Sequence, residues 1–373
     1  MDDLARAQEL LRRFGSTPRA AGSAADAAAR RDAADILAGS GFDVREESFA
    51  YSALPGRFGT PLIGAAVCAA LASAGHLASR DYATPALAIL LAVAIAAALA
   101  GRWLARDGVL DMRAMRREGV NLVATRGGEA PLVWLVAHTD SKSQPVPQAL
   151  RAAGIVGLGV VWLFAAILAA AQVGGYVDPG MPGWIGVTLV GMLFGAPVVL
   201  SIVGNESAGT LDNASGVAAV LLAAERVPRD VPMGVLITTA EELGLAGARA
   251  WARSRSGIGH IALNCDGVDD VGTLTAMFTG RSPARVLEAM TEAAARTSQQ
   301  LRIMRLVPGI LVDAVALADA GWEAATLSRG TVATLGRVHT RRDTLAAMDG
   351  VGIPAAAAVL AGAAERLATG KGG

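Results

Sequence analysis

Four stretches of this chain leave out charge almost completely. Residues 61–79 (PLIGAAVCAALASAGHLAS) and 84–101 (TPALAILLAVAIAAALAG) hold no Asp, Glu, Lys or Arg. Residues 152–175 (AAGIVGLGVVWLFAAILAAAQVGG) have Gln172 as their polar member, and residues 182–203 (PGWIGVTLVGMLFGAPVVLSIV) complete the set. A helix needs about 20 mainly apolar residues to cross a bilayer. Helices of soluble domains seldom run so far without a charge, which weighs against the alternative of four buried core helices. Arg102 and Trp103 close the second run with a charge and an aromatic, and Tyr176 and Trp184 flank the short polar turn between the last two. Such residues belong at a membrane interface. The expectation is four transmembrane helices in two hairpins. The first is the weakest, because it is rich in Ala and Gly and contains His76. Small residues do permit close helix contact inside a membrane.

Composition agrees. Hydrophobic residues make up 53% and charged residues 18%, against roughly 25% charged in an average domain. Lys plus Arg and Asp plus Glu are both 33, so no basic field points to nucleic acid. The two cysteines, Cys68 and Cys265, are too far apart in sequence to suggest a disulfide framework. The opening MDDLARAQELLRRFG has acids and no apolar stretch, unlike a secretory signal.

Outside the apolar runs the chain reads as α/β. Helical spacing covers residues 3–14, 23–39, 214–227, 243–254, 282–297, 311–320 and 353–368, and strand patterns cover 42–50, 120–126, 132–138, 233–239, 260–266 and 324–328. Alternating strands and helices imply a mostly parallel sheet covered on both faces. The expected organisation is a catalytic domain in three pieces, residues 1–58, 106–150 and 205–373, interrupted by hairpins at 59–105 and 151–204. An even number of spans leaves every soluble piece on one side. That side carries Arg57, Arg102, Arg106, Arg113, Arg116, Arg117, Lys142 and Arg151, whereas the opposite turns carry Arg80. Positive charge favours the cytoplasm, so the expectation is a multi-pass protein of a bacterial inner or plasma membrane with its catalytic domain facing the cytoplasm.

Five segments carry the chemistry: VAHTDSKSQ (136–144), GTLDNASGVA (209–218), TTAEELGLAGAR (238–249), LNCDGV (263–268) and VHTRRDT (338–344). Three of them sit where an apolar strand ends, the edge at which open α/β sheets bind ligands. Together they offer His138, Asp212, Glu242, Asp266 and His339, an imidazole and carboxylate set suited to zinc. Three carboxylates and two imidazoles exceed one catalytic zinc and fit two ions sharing a bridging carboxylate. Glu241 is left over as a general base.

Each feature has a plainer reading. His138 alone could be a core histidine, Asp212 or Asn213 a helix cap, and Glu241–Glu242 a solvated first turn. Asp266 could be a turn residue, as Asp269 and Asp270 are read to be. Cys265 reads as a small buried hydrophobe, His260 as a strand-start residue, and Arg341–Arg342 as either a substrate-carboxylate site or a solvated pair.

The ordered set H-x-D, D-N-A-S-G, E-E, D and H-T-x-x-D-T resembles the M28 metallopeptidases, loosely over residues 1–55 and well over 118–373. The resemblance implies a mostly parallel mixed sheet sandwiched by helices, of the zinc-exopeptidase type, into which the transmembrane hairpins are inserted. It implies two zinc ions, one on His138 and Asp266 and one on Glu242 and His339, with Asp212 bridging. It makes Glu241 the catalytic base, has Asp140 orient His138 and Asp343 support His339, and makes the Asp212–Asn213 peptide cis. The chain departs from the family where spans three and four fill the connection between His138 and Asp212, which is normally a short loop. That insertion leads us to expect an active site near the membrane surface. The expected activity is a membrane-bound aminopeptidase acting on peptides. The alternatives are a carboxypeptidase or dipeptidase, a single-zinc glutaminyl cyclase, which would not need the full ligand set, and an inactive receptor or scaffold. Partners beyond peptide and bilayer, and the oligomeric state, are not legible.

Overall fold

A computed structural model describes residues 2–128, 130–255, 259–307 and 309–370. The chain forms two compact units, one from residues 1–53, 110–143 and 205–373, the other from residues 54–109 and 144–204.

The first unit begins with α1 (Asp3–Gly15) and α2 (Ala24–Gly39), capped by the Asp2 and Ser23 side chains on the Ala5 and Asp26 amides. Among the described residues it contains eight strands: β1 (Asp43–Ser52), β2 (Arg116–Arg126), β3 (Val133–His138), β4 (Met233–Thr238), β5 (Ile261–Val268), β6 (Thr273–Phe278), β7 (Leu301–Arg305) and β8 (Glu323–Gly330). They form one sheet in the order β1-β2-β4-β3-β5-β8-β6-β7. The central run β4-β3-β5-β8 is parallel throughout. Strands β1, β2 and β4 pair antiparallel on one flank, and β6 runs antiparallel to β8 but parallel to β7 on the other.

Strand β3 shows why the central strands read as unbroken apolar runs. Val133, Leu135 and Ala137 enter one core, while Trp134 and Val136 enter the core on the opposite face. Both faces are covered, so alternation disappears. The larger core packs α1, α2, Gly216–Arg226, Ala284–Arg296 and Ile353–Thr369 on one face. The smaller core is an aromatic chain, with Trp251 4.7 Å from Trp134 and 5.1 Å from Trp322 between ring centroids. Gly234 on β4 is required there, since a Cβ would come within 2.4 Å of the Trp134 ring. His260, just before β5, stacks on Trp322.

Strands β6 and β7 were not expected. Their faces are half-exposed, and β7 (LRIMR) puts two arginines into five residues at the sheet edge, so the apolar signal there is weak.

The second unit is four helices, α3 (Leu54–Ala78), α4 (Ala83–Trp103), α5 (Gln148–Val173) and α6 (Gly180–Val199). All four are long and apolar enough to cross a membrane. The first starts seven residues before the expected Pro61. Pro55 occupies its first turn, where a missing N–H costs nothing, and Pro61 lies inside the helix. The helices meet in a ring, α3 against α4 and α6, and α5 against α4 and α6. Inward positions are mainly small. Gly191 lies against Leu71 and Gly195 against Cys68, where a Cβ would clash at 2.2 Å in both cases. Outward positions include Leu91, Ile95, Leu99, Val160, Phe164 and Leu193, all exposed. A polar clamp lies where α3 and α5 end and α6 begins: Gln172 donates to the Ala78 carbonyl (2.9 Å) and accepts from Trp184 Nε1 (3.0 Å). Cys68 and Cys265 are both free and buried.

Candidate metal centre

The loops after the parallel strands bring the five segments together. His138 is the last residue of β3, Asp266 lies in β5 where the register shifts, and Glu241–Glu242 follow β4. The turn at Glu241 is tight: its carbonyl accepts from the amides of Gly244 (2.9 Å) and Leu245 (2.7 Å). Flanking Ala240 and Leu245 have φ of 56° and 61°, and His339 has φ of 61°. Side chains avoid that left-handed region unless the surroundings enforce it.

Asp212 and Asn213 divide their work. The Asn213 side chain accepts from the amides of Gly216 (3.0 Å) and Gly267 (3.1 Å) and donates to the Cys265 carbonyl (2.9 Å). It thereby anchors the helix α7 (Gly216–Arg226) to β5. A Cβ on Gly216 would meet Asn213 Oδ1 at 2.0 Å, so glycine is required. Asp212 is thus free of the capping role, and the Asp212–Asn213 peptide is cis.

The Asp212 carboxylate lies between the two histidines. Its Oδ1 is 3.3 Å from His138 Nε2 and its Oδ2 is 2.9 Å from His339 Nε2. Asp266 Oδ1 and Glu241 Oε2 approach His138 Nε2 at 3.6 and 3.8 Å, and Glu242 Oε1 approaches His339 Nε2 at 3.2 Å. Two groups result, His138 with Glu241 and Asp266, and Asp212 with Glu242 and His339, each with ligand atoms within 4.8 Å of one another. All five expected ligands converge, and Glu241, read as a base, joins the first group.

The donor atoms suit metal. His138 Nδ1 lies 3.0 Å from the Asp140 carbonyl oxygen, an acceptor, so it carries the proton and leaves Nε2 a lone pair. His138 Nε2 and Glu242 Oε1 are buried with no hydrogen-bond partner among the described residues. A buried polar atom without a partner is costly, and a cation between such atoms would satisfy them. Imidazole plus carboxylate is a zinc set.

Electrostatics separate the carboxylates. Burial pushes Glu241 well above the usual carboxylate range, against the pull of His138. Burial would raise Asp212 too, yet the two facing imidazoles hold it well below that range.

A layer of supporting contacts fixes these groups. Asp140 is fully buried, and its two oxygens accept from the amides of Glu241 (3.1 Å) and Glu242 (3.2 Å), so it ties the β3 end to the β4 turn. Asp343 was expected to support His339. Its carboxylate instead accepts from the amides of Leu211 (2.6 Å) and Asp212 (3.1 Å), and burial raises it to about 6.

Sequence reasoning missed four residues. Buried Arg19 donates to the carbonyls of Thr139 (2.8 Å), Ala208 (2.7 Å) and Gly209 (2.9 Å), clamping the two ligand loops. Asp26 accepts from Thr139 and Thr239 hydroxyls, both at 2.8 Å. Lys142 Nζ sits 2.5 Å from Glu242 Oε2. Asp313 accepts from the Thr238 hydroxyl at 2.5 Å, and burial raises it to about 7. Arg19, Asp26 and Asp313 lie in no motif, so only folding connects them to the site. Lys142 lies within the first segment, and its proximity to His138 was the available signal. Arg341 pairs with Glu206 on the surface, the plainer of its two readings.

Residues 192–364 match peptidase family M28. No curated protein matches the chain. Among solved structures, an aminopeptidase from Aneurinibacillus sp. strain AM-1 is similar at 16% identity and TM-score 0.56, over 98% of this chain and 93% of that one. BSAP, a zinc aminopeptidase from Bacillus subtilis, is similar at 14% identity and TM-score 0.55, over 96% and 94%. A glutaminyl cyclase from Fimbriiglobus ruber is similar at 14% and 0.51, over 97% and 93%. At such identities the likeness is one of fold. The match of residues 192–364 to peptidase family M28 and the likeness of the fold to zinc aminopeptidases agree, and the chain is similar to the M28 metallopeptidases over that segment.

Proposed function

We propose that this protein is a membrane-bound aminopeptidase that removes N-terminal residues from peptides at a two-zinc centre. The observation that carries the reading is Asp212, whose two oxygens face His138 on one side and His339 on the other. Asp212 would be shared between two ions. His138 and Asp266 would hold one, and Glu242 and His339 the other.

Zinc bound there supplies a Lewis acid for the scissile carbonyl and lowers the pKa of water. The chain's own residues do the rest. Glu241, buried and raised in pKa, accepts a proton from the attacking water as its oxygen bonds to the carbonyl carbon. It then delivers that proton to the leaving amine as the C–N bond breaks. Asp140 positions both His138 and the Glu241 turn. The four apolar helices embed the protein in a bilayer, a reading supported by their length and exposed apolar faces. Their even number and the arginine bias support a cytoplasmic catalytic unit.

A dipeptidase or carboxypeptidase is the second reading. Lys142, beside Glu242, favours it, since a cation there is able to pair with a substrate carboxylate.

The test is hydrolysis of a peptide library by detergent-solubilised protein and its Glu241→Gln variant, each with and without chelator. Stepwise loss of N-terminal residues is expected, abolished by chelator and reduced about 10²–10⁴-fold by the substitution, while zinc content stays near two per chain. Cleavage confined to peptides with a free C-terminus would favour the second reading. Full activity in Glu241→Gln would remove Glu241 from the mechanism.

A further inference from the structure

A cavity of about 340 Å³ opens in the helical unit, between α3, α4 and α5, with Val198 of α6 on its lining. Gly64 and Val67, Val93 and Ala97, and Gly159 and Trp162 form its walls, and Thr60 is its polar member. Its cause is visible in α4. That helix buries Ala83, Ala86 and Leu90, all in its first half, and nothing in its second. Gly64, Ala94, Ala97 and Gly159 are too small to fill the gap between the larger side chains that line it. A space this apolar does not hold ordered water, which needs polar partners.

The polar end of the cavity is basic. Arg151 donates from Nη2 to Thr60 Oγ1 at 3.0 Å, while its Nε is buried with no acceptor among the described residues. Arg57, Arg102, Arg106 and Arg151 all lie at this end of the helices, with Asp107 as the acid in the same stretches. The other end has Arg80, balanced by Asp81 and Asp178. A guanidinium among further arginines at a membrane surface suits a phosphate oxygen.

We propose that this cavity binds one acyl chain of an anionic glycerophospholipid, whose phosphate is held by Arg151 beside Thr60. The proposal rests on the membrane-spanning reading of α3–α6 and deepens it. Acyl chains gain little by moving from bilayer to an apolar wall. Preference must therefore come from the charged end, and retention from the shape of the slot.

The test uses the full chain, purified in detergent and reconstituted into nanodiscs of equal phosphatidylglycerol and phosphatidylcholine with identical acyl chains. Lipid retained per protein is counted by native mass spectrometry. Wild type is expected to keep one phosphatidylglycerol, enriched at least tenfold over phosphatidylcholine. Gly159→Leu fills the slot from a position where an added Cβ meets open space, and should lose that lipid. Ala97→Leu fills it from α4 and should act alike, which guards against misfolding of either variant. Arg151→Gln should abolish the headgroup preference and leave peptide hydrolysis unchanged. Inorganic phosphate added to phosphatidylcholine nanodiscs should not bind, since the chain seats the headgroup. Equal retention of the two lipids by wild type, unchanged phosphatidylglycerol in both filling variants, or a second protein copy in place of lipid would overturn the proposal. Recovery of the protein in the soluble fraction without detergent would instead sink the membrane reading on which it rests.

Discussion

Asp140 shows how much of the candidate metal site lies one layer out. Its carbonyl orients His138, and its carboxylate holds the amides of Glu241 and Glu242. One residue, through its backbone carbonyl and its carboxylate, thus aligns His138 and the backbone of Glu241 and Glu242, the candidate ligands and base. Asp140→Asn keeps the size but replaces one acceptor oxygen with an NH₂ facing an amide donor. Zinc affinity or turnover should fall about 10–100-fold, read by zinc titration against a competing chelator. A variant indistinguishable from wild type would show that the loop holds its shape without the carboxylate.

At the scale of elements, the site depends on clamps between loops distant in sequence. Arg19, in the turn between α1 and α2, spans the carbonyls of Thr139, Ala208 and Gly209. Burial lowers its pKa to about 10, so it stays charged at neutral pH. Arg19→Met strands three carbonyls in a buried place and should cost about 3 kcal/mol or more, seen as a lower denaturation midpoint, with zinc affinity falling in parallel. Asp269 does similar work after β5. Burial alone would raise its pKa, but its bonds from Arg337, Thr334 (2.6 Å) and the Asp270 amide outweigh this and hold it below 3.8. A folded-state pKa below the unfolded value means the stabilisation is complete above the unfolded pKa and lost as pH falls through the folded one. Melting temperature should therefore drop below about pH 4, and Asp269→Asn should flatten that acid limb. An unchanged acid limb in the variant would assign it to other carboxylates.

At the scale of the whole molecule, each unit has its own source of order. The catalytic unit depends on two cores and, in our reading, on metal between buried carboxylates. Zinc that binds the folded form alone adds about 2.7 kcal/mol at 100 times its Kd. Removing it should lower the melting temperature of this unit by several degrees, and zinc should restore it where magnesium does not, since magnesium avoids imidazole. The helical unit has few large inward side chains. It relies on close glycine contacts such as Gly191 on Leu71, a packing mode suited to lipid surroundings.

What the sequence by itself determined was set by local rules. Uncharged runs about the length of a bilayer dictated four long helices, whatever packs against them. Apolar strands ending in His138, Glu241 and Asp266 dictated a parallel α/β sheet with ligands at one edge, because strand direction and the βα connection fix which end is open. The ordered motif carried the rest of the expected ligand set. Tertiary structure alone decided the remainder. Edge strands β6 and β7 are half-exposed, so pairing rather than hydrophobic period makes them strands. Arg19, Asp26 and Asp313 acquire their place through partners about 75 to 213 residues away, a separation no local pattern encodes. Asp343 moved from a histidine's partner to the amides of Leu211 and Asp212 for the same reason. Pattern is local and tells which face is buried. The identity of a buried group's partner is non-local, settled when the chain closes and every donor must find an acceptor.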